Sequence, residues 1–498
     1  MRWRHLTLLF ALLAGSVHLW AGGSGLNVVV VVNQSSSNSV QLANYYCEKR
    51  QVPPQNVLFI NWAGGNTQWA VSDFTNLLLN PLFGMISSRG LSNQIDYVLL
   101  SMDIPFQVSQ GGGSSSSGFD ATTAALFYGF KTDLPAAVIV SGTPSCNMPL
   151  ASTNSYALLS ENILRASPPT TATTNAFLAT MVTANTLKEA KAYIDQALMS
   201  DNTSPTQTVL LGHSTEFFRN IRYPAFDNTI FNTQIRGDFA LVHTNSPMST
   251  NTPPAILFSN MAGYENGLFQ FTIVSNAFIP GAMADSLTSY SGSIFGPNDQ
   301  TTLLAFMNAG AAGSYGTVVE PCNWEQKFPS PQTFFYQARG FSMAECYYMA
   351  VTNPYQGMVF GEPLFAPFAK PASVSWTSLA PNALLAGTTN LSLQVTGADT
   401  KHPVGQVDLF LDGTFLQTIT NIPPRANNII YVTLNGSPTN FTIPAGASIK
   451  SVASNLTVRL SGAAYANATK VQAFTHGDRI ELKSTDNTKL GSQLSVSV

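Results

Sequence analysis

Asn27–Arg50 reads NVVVVVNQSSSNSVQLANYYCEKR. Five consecutive valines predict a strand buried on both faces, because a half-exposed strand would alternate apolar with polar residues. The apolar spacing that follows predicts a helix over Ser39–Arg50, capped by Asn38 or Ser39 and stopped before Pro53. A buried strand feeding a helix is the first half of a βαβ unit, and the same grammar recurs downstream. Strands are expected at Val57–Asn61, Tyr97–Ser101, Ala136–Val140, Phe177–Val182, Thr208–Leu211, Phe239–His243, Ile256–Ser259, Gly316–Val319 and Gly357–Phe360. Helices are expected at Phe74–Ser87, Thr186–Ser200, Thr301–Asn308, Pro331–Ala338 and Met343–Val351. Thr186 and Glu189 form a capping box, with Leu187, Ala190, Ile194, Ala197 and Leu198 on one face. The pattern predicts an α/β domain over residues 22–370 with a doubly wound, mainly parallel sheet. No GxGxxG follows the first strand, so a dinucleotide fold is unsupported and no cofactor is expected.

Near Pro371 the grammar changes. Residues 371–498 show short alternating runs at Leu391–Val395, Val407–Leu411, Ile429–Thr433 and Leu456–Leu460, with Asp412-Gly413 as a hairpin turn. They predict a small all-β sandwich.

The amino-terminus carries the marks of an export signal over residues 1–21. Arg2, Arg4 and His5 precede the apolar run Leu6–Leu13, and Ala21 offers a cleavage site. Gly15, Ser16 and His18 break the run before it reaches membrane-spanning length. The expected address is secreted, periplasmic or cell-surface, with no transmembrane segment after cleavage. Charged residues make up 10% of the 498 residues and the net charge is −3. With no Lys/Arg cluster to meet phosphates, nucleic acid is not an expected partner. The 31 Phe and 16 Tyr supply a core and argue against disorder. Four cysteines, Cys47, Cys146, Cys322 and Cys346, match no zinc spacing, and no metal is expected. Free buried thiols and disulfides both fit, Cys322 with Cys346 being the most local pairing.

Ligands of open α/β sheets bind beyond the carboxyl ends of strands. The stretch Gly281–Pro329 runs from GAMADSLTSY through a helix into a strand that ends in Glu320, Cys322, Trp324 and Glu325, which makes it the candidate site. Asp285 and Glu320 would make an acid/base pair if they converge. His213, in LLGHST beyond a strand end, is a candidate base, with His243 a weaker one. Cys322 is a candidate nucleophile, although the nearby Glu320 would raise its thiol pKa. Tyr264, Glu265, Ser286 and Trp324 are the expected ligand contacts. There is no GxSxG elbow.

Taken together, the Asn27 segment, IDYVLLSMDIPF (95–106), PGAMADSLTS (280–289), GAAGSYGTVVEPCNWEQKFPSP (310–331) and PYQGMVFGEPLFAPF (354–368) resemble an uncharacterised family of exported bacterial proteins. Its marks are GAxADxLTS, GTVxEPC and a closing GDPL-type motif, here Gly361-Glu362-Pro363-Leu364. The order of elements is distantly similar to that of gingipain-type cysteine peptidases, which implies a caspase-like fold. Those enzymes place a His-Gly after one strand and a Cys after the next; the corresponding Asn260–Glu265 and Pro280–Asp285 hold neither. The segment GQVDLFLDGTFLQTI (405–419) resembles the central hairpin of bacterial immunoglobulin-like domains. The resemblance implies a non-proteolytic relative that binds an extracellular peptide, protein or glycan or acts as a scaffold. Alternatives are a hydrolase around Asp285, Glu320 and Cys322, and a carbohydrate-binding surface protein.

Overall fold

The computed structural model describes residues 23–109, 119–128, 138–139, 147–148, 154, 156–157, 177–214, 217–236, 241–248, 255–256, 259–267, 272–295 and 300–498, with short breaks at 381–382, 385–386, 477–478 and within 400–406 and 420–425. The expected export signal, the Gly/Ser run at 111–118 and Cys146 lie outside the described residues. No helix among those described is long and apolar enough to cross a membrane.

A ten-stranded sheet organises the α/β part. Its strands, in chain order, are β1 (Val28–Asn33), β2 (Val57–Ile60), β3 (Tyr97–Leu100), β4 (Leu178–Met181), β5 (Val209–Ser214), β6 (Leu241–Met248), β7 (Met261–Asn266), β8 (Phe278–Ser286), β9 (Gly313–Thr317) and β10 (Gly357–Gly361). They lie in the order β6-β5-β7-β8-β9-β10-β4-β3-β1-β2. β1–β4 pair parallel among themselves, as do β5–β9. β10 joins the two groups, antiparallel to β9 and bridged to β4 where Phe360 meets Met181. Val28–Val32 are all buried, as their unbroken β-branched run predicts.

Helices connect these strands: α1 (Ser37–Arg50), α2 (Asn80–Ser88), α3 (Thr122–Tyr128), α4 (Leu187–Leu198), α5 (Phe226–Arg236), α6 (Leu303–Asn308), α7 (Gln332–Ala338) and α8 (Met343–Ala350). The cap of α1 is Ser36, ahead of both expected positions, Asn38 and Ser39, because its hydroxyl accepts the Ser39 N–H. The Ser39 hydroxyl is instead taken by the Asn33 N–H, 2.9 Å away. Two strands of the ten-stranded sheet went unforeseen, β7 (MAGYEN) and β8 (FIPGAMADS). Glycine, alanine and single carboxylates carry no β-branched signature, and burial on both faces removes alternation. Of the strand expected at Ile256–Ser259, Ile256 lies in the piece Ala255–Ile256, and 257–258 lie outside the described residues.

One ion-pair cluster ties the closing segment to the helices. Arg50, at the end of α1, places Nη1 2.5 Å from Asp201 Oδ2 and Nη2 2.6 Å from Glu362 Oε2. The Tyr46 hydroxyl donates to Glu362 Oε1 at 2.7 Å, and the same oxygen accepts the Leu364 N–H. Asp201 accepts the Ala366 N–H at 3.0 Å. Gly361 turns the chain into this cluster at φ +129°, where a Cβ would lie 2.4 Å from the Ala312 carbonyl oxygen. Gly361-Glu362-Pro363-Leu364 is thus a structural staple, its carboxylate answering a buried guanidinium.

The carboxy-terminal part holds antiparallel pairs: β11 (Ser373–Trp376) with β12 (Leu393–Thr396), β13 (Val407–Leu411) with β14 (Thr414–Ile419), β15 (Ile429–Leu434) with β16 (Ser437–Thr442), and β17 (Val471–His476) with β18 (Arg479–Ser484). Asp412 and Gly413 have positive φ, as a two-residue hairpin turn requires. The Gln94 amide grips this turn, donating to the Gly413 carbonyl and accepting the Phe415 N–H, each at 2.9 Å. The expectation of an all-β sandwich needs correction at two helices, α9 (Ile449–Leu460) and α10 (Ala463–Thr469). Leu456 and Leu460 satisfy a period of two, but with Val452 they also repeat every four residues and bury one helical face. This unit packs its core against Phe231 of α5.

Removing one partner of a buried pair leaves an uncompensated charge. Glu362→Ala should therefore lower unfolding stability by about 3–5 kcal/mol, with Glu362→Asp costing less, as read from urea unfolding curves.

Candidate functional site

β7 and β8 run side by side in parallel, pairing Tyr264 with Ala284, Glu265 with Asp285 and Asn266 with Ser286. Side chains alternate along a strand, so these cross-strand pairs face opposite sides of the sheet. A Cβ on Gly263 would touch Phe334 of α7, which places Glu265 and Asp285 on that side. Tyr264 packs against Phe306 of α6, 6.1 Å between ring centroids, which places Asn266 and Ser286 on the other.

On the α7 side lies a fully buried charge cluster. Arg222, just before α5, puts Nη1 2.7 Å from Asp285 Oδ1 and 3.2 Å from the Pro329 carbonyl. Its Nη2 donates to the Asn266 carbonyl at 2.6 Å. Nε lies 3.3 Å from Glu265 Oε1, an ion pair without hydrogen-bond geometry. Both Glu265 oxygens therefore lack a hydrogen-bond donor, and the Tyr347 hydroxyl and Thr333 Oγ1 are likewise buried and unpaired. Burial pushes the Glu265 carboxyl up to about 8, Arg222 opposing and the Asp285 and Glu325 charges adding to it. Burial also raises Asp285, against the pull of Arg222. Burial works against the Arg222 charge, and Asp285 followed by Glu265 more than restores it.

On the α6 side the strand ends hold a neutral pair. The Ser286 hydroxyl donates to Asn266 Oδ1 at 2.9 Å, and Asn266 Nδ2 donates to the Tyr264 hydroxyl. A side-chain amide is no base, so this hydrogen bond does not activate the serine.

The chain beyond β8 folds over β9. Gly292 donates its N–H to the Thr317 carbonyl at 2.9 Å, an approach so close that a Cβ there would lie 2.5 Å from the Gly316 oxygen. This brings Ser289 to Glu320: its hydroxyl donates to Glu320 Oε2, while Oε1 accepts the Cys322 N–H at 2.7 Å. Tyr290 and Cys322, beside these two residues, both have positive φ. Lys327 is buried nearby. Burial pushes its ammonium down to about 8, against the attraction of Glu320.

The expected site residues divide accordingly. Segments 281–290 and 318–322 meet, through Ser289 and Glu320. Asp285 and Glu320 form no shared pair, because Asp285 points into the α7 side and is bound to Arg222. Cys322 is disulfide-bonded and has no thiolate to offer as a nucleophile. The Cys322–Cys346 pairing is not formed, since Cys346 is a buried free thiol, as is the half-buried Cys47. Tyr264, Glu265 and Ser286, expected as ligand contacts, are buried. His213 stacks on Tyr223 with centroids 4.2 Å apart and has no carboxylate partner among the described residues. The indole Nε1 of Trp324 is buried and unpaired. No group of three His, Cys, Asp or Glu among the described residues is arranged to hold a metal ion.

Arg222, Asn266, Ser289 and Lys327 were not foreseen. The one available signal is scarcity: with two carboxylates at the ends of buried strands, some cation has to reach them.

A scan against models of known protein families finds no match. A search of the curated proteins finds none either. Two solved structures are similar to the chain. One is described as a protease, at 12% identity, covering 84% of this chain and 97% of that one, with a TM-score of 0.40. The other is the complex of the pro- and mature domains of Porphyromonas gingivalis RgpB, at 9% identity, covering 92% of this chain and 99% of that one, with a TM-score of 0.38.

Proposed function

We propose that this chain is an exported protein of the cell envelope or exterior that binds a peptide, protein or glycan without cleaving it. In this reading it is a non-proteolytic relative of the caspase-like peptidases, and part of its carboxy-terminal region serves as an immunoglobulin-like module. The observation that carries the reading is the Ser286–Asn266 hydrogen bond. Asn260–Glu265 and Pro280–Asp285, where the resemblance would put a histidine and a cysteine, hold neither, and the residues that follow them, Asn266 and Ser286, bring an amide and a hydroxyl together. The disulfide at Cys322 agrees with an oxidising address. Peptide libraries incubated with the mature protein should show no turnover, and turnover abolished by Ser286→Ala would refute the reading. Peptide and glycan arrays should give a binder that Trp324→Ala weakens.

Native protein treated with iodoacetamide without reductant should react slowly at Cys47 and not at Cys322. Burial raises the Cys47 thiol to about 11, which starves it of thiolate. Cys346 should label only on unfolding. Labelling of Cys322 in the native protein would remove the disulfide.

A hydrolase reading has one specific observation in its favour, the Ser289–Glu320 contact. Glu320 would take the hydroxyl proton as Ser289 attacks an ester carbonyl. The leaving alcohol would carry that proton away, and water would then release the acyl group. A fluorophosphonate probe should mark Ser289, and Glu320→Gln should slow labelling by about 10²-fold or more. A chain that stays unmarked excludes this chemistry.

A further inference from the structure

The buried cluster on the α7 side has more carboxyls than its cation can satisfy. Arg222 directs Nη1 to Asp285 and the Pro329 carbonyl, and Nη2 to the Asn266 carbonyl. Glu265 receives only the misaligned approach of Nε. Were both carboxyls ionised, the cluster would carry a net negative charge with two carboxylate oxygens unsolvated. Buried polar atoms are rarely left unpaired, and an unpaired charge is the costliest case. A proton on Glu265 removes both problems. It leaves Arg222 balanced by Asp285, and it turns Glu265 into a donor in a region where the Tyr347 hydroxyl also lacks a partner.

We propose that Glu265 is held as the neutral acid in the folded protein, and that this proton latches the segment Phe217–Ala225 onto the sheet. That segment carries Arg222, and it holds the exposed rings of Phe218 and Tyr223 at the carboxyl end of β5, Tyr223 stacked on His213. Arg219 secures the same segment to the loop after β8, donating to Thr288 Oγ1 at 2.5 Å. The lip around the strand ends therefore depends on a proton stored beneath it. The titratable groups acting on Glu265 come from each packed element: Arg222 from the latched segment, Asp285 from β8, Glu325 from the turn before α7 and Tyr347 from α8. Burial outweighs the pull of Arg222, while Asp285 and Glu325 both disfavour a second negative charge.

The sign follows from linkage. A carboxyl that keeps its proton when folded and loses it when the segment opens makes opening easier as pH rises. The window runs from the ordinary glutamate value to about 8. Hydrogen exchange, corrected for intrinsic rates, should show the opening constant of 217–225 and 261–266 rising up to about tenfold per pH unit between about 5 and 8. Glu265→Gln, which mimics the neutral acid, should flatten that slope. Equal slopes in the two proteins would overturn the proposal. Should the variant fail to fold, infrared titration of the unaltered protein decides instead. The carbonyl stretch of a buried protonated carboxyl should persist at neutral pH and fade near pH 8; its absence at neutral pH would overturn the proposal.

Discussion

One guanidinium faces two carboxyls at the ends of two neighbouring strands, and the carboxyl edge of the sheet is built around that mismatch. Glu265 and Asp285 sit directly opposite each other in register. Two such carboxylates cannot both be buried and charged without a cation between them. Arg222 fills that place, and its remaining donors draw in the carbonyls of Asn266 and Pro329. The path of the chain before α5, the end of β7 and the entry to α7 are therefore fixed on one side chain.

The same device recurs where the α/β part closes. Arg50 also answers two carboxyls, Asp201 and Glu362, but there each carboxylate has a further donor: backbone N–H groups for both and the Tyr46 hydroxyl for Glu362. The comparison isolates what is unusual about Glu265. Both clusters have one cation and two acids, yet only the cluster at the strand ends leaves an acid without a hydrogen bond. In a chain with 10% charged residues, such clusters take a large part in deciding which segments meet. Serine, threonine and asparagine make the surface polar, whereas arginines bind distant segments inside it.

The elements legible from sequence are those with a single strong signal. Val28–Val32 could be nothing but a buried strand, and the Thr186/Glu189 capping box marks its helix as expected. β7 and β8 escaped because MAGYEN and GAMADS offer neither a β-branched run nor alternation; their pairing, not their composition, makes them strands. Leu456–Leu460 misled because residues four apart fit two periods equally. The meeting of the chain after β8 with the turn after β9 was readable, since topology brings strand ends together whatever they carry. The partners of the buried carboxyls were not. Arg222 lies 43 and 63 positions from its two partners in sequence, and no local spacing encodes that meeting.

Which side chains the strand ends present on each face is a matter of register. Glu265 and Asp285 are acids of the kind that do proton-transfer work, and they stand one residue from the last position on each strand. Because faces alternate with period two, that single residue sends them under the sheet to Arg222 and leaves Asn266 and Ser286 on the α6 side. A slip of one residue in both strands would exchange the two sets and present a carboxyl pair there. Such a slip would also place an amide and a hydroxyl against a buried guanidinium, stranding its charge. The ion cluster thus does more than hold the fold together: it keeps in place the register that sets Glu265 and Asp285 on the α7 side and Asn266 and Ser286 on the other.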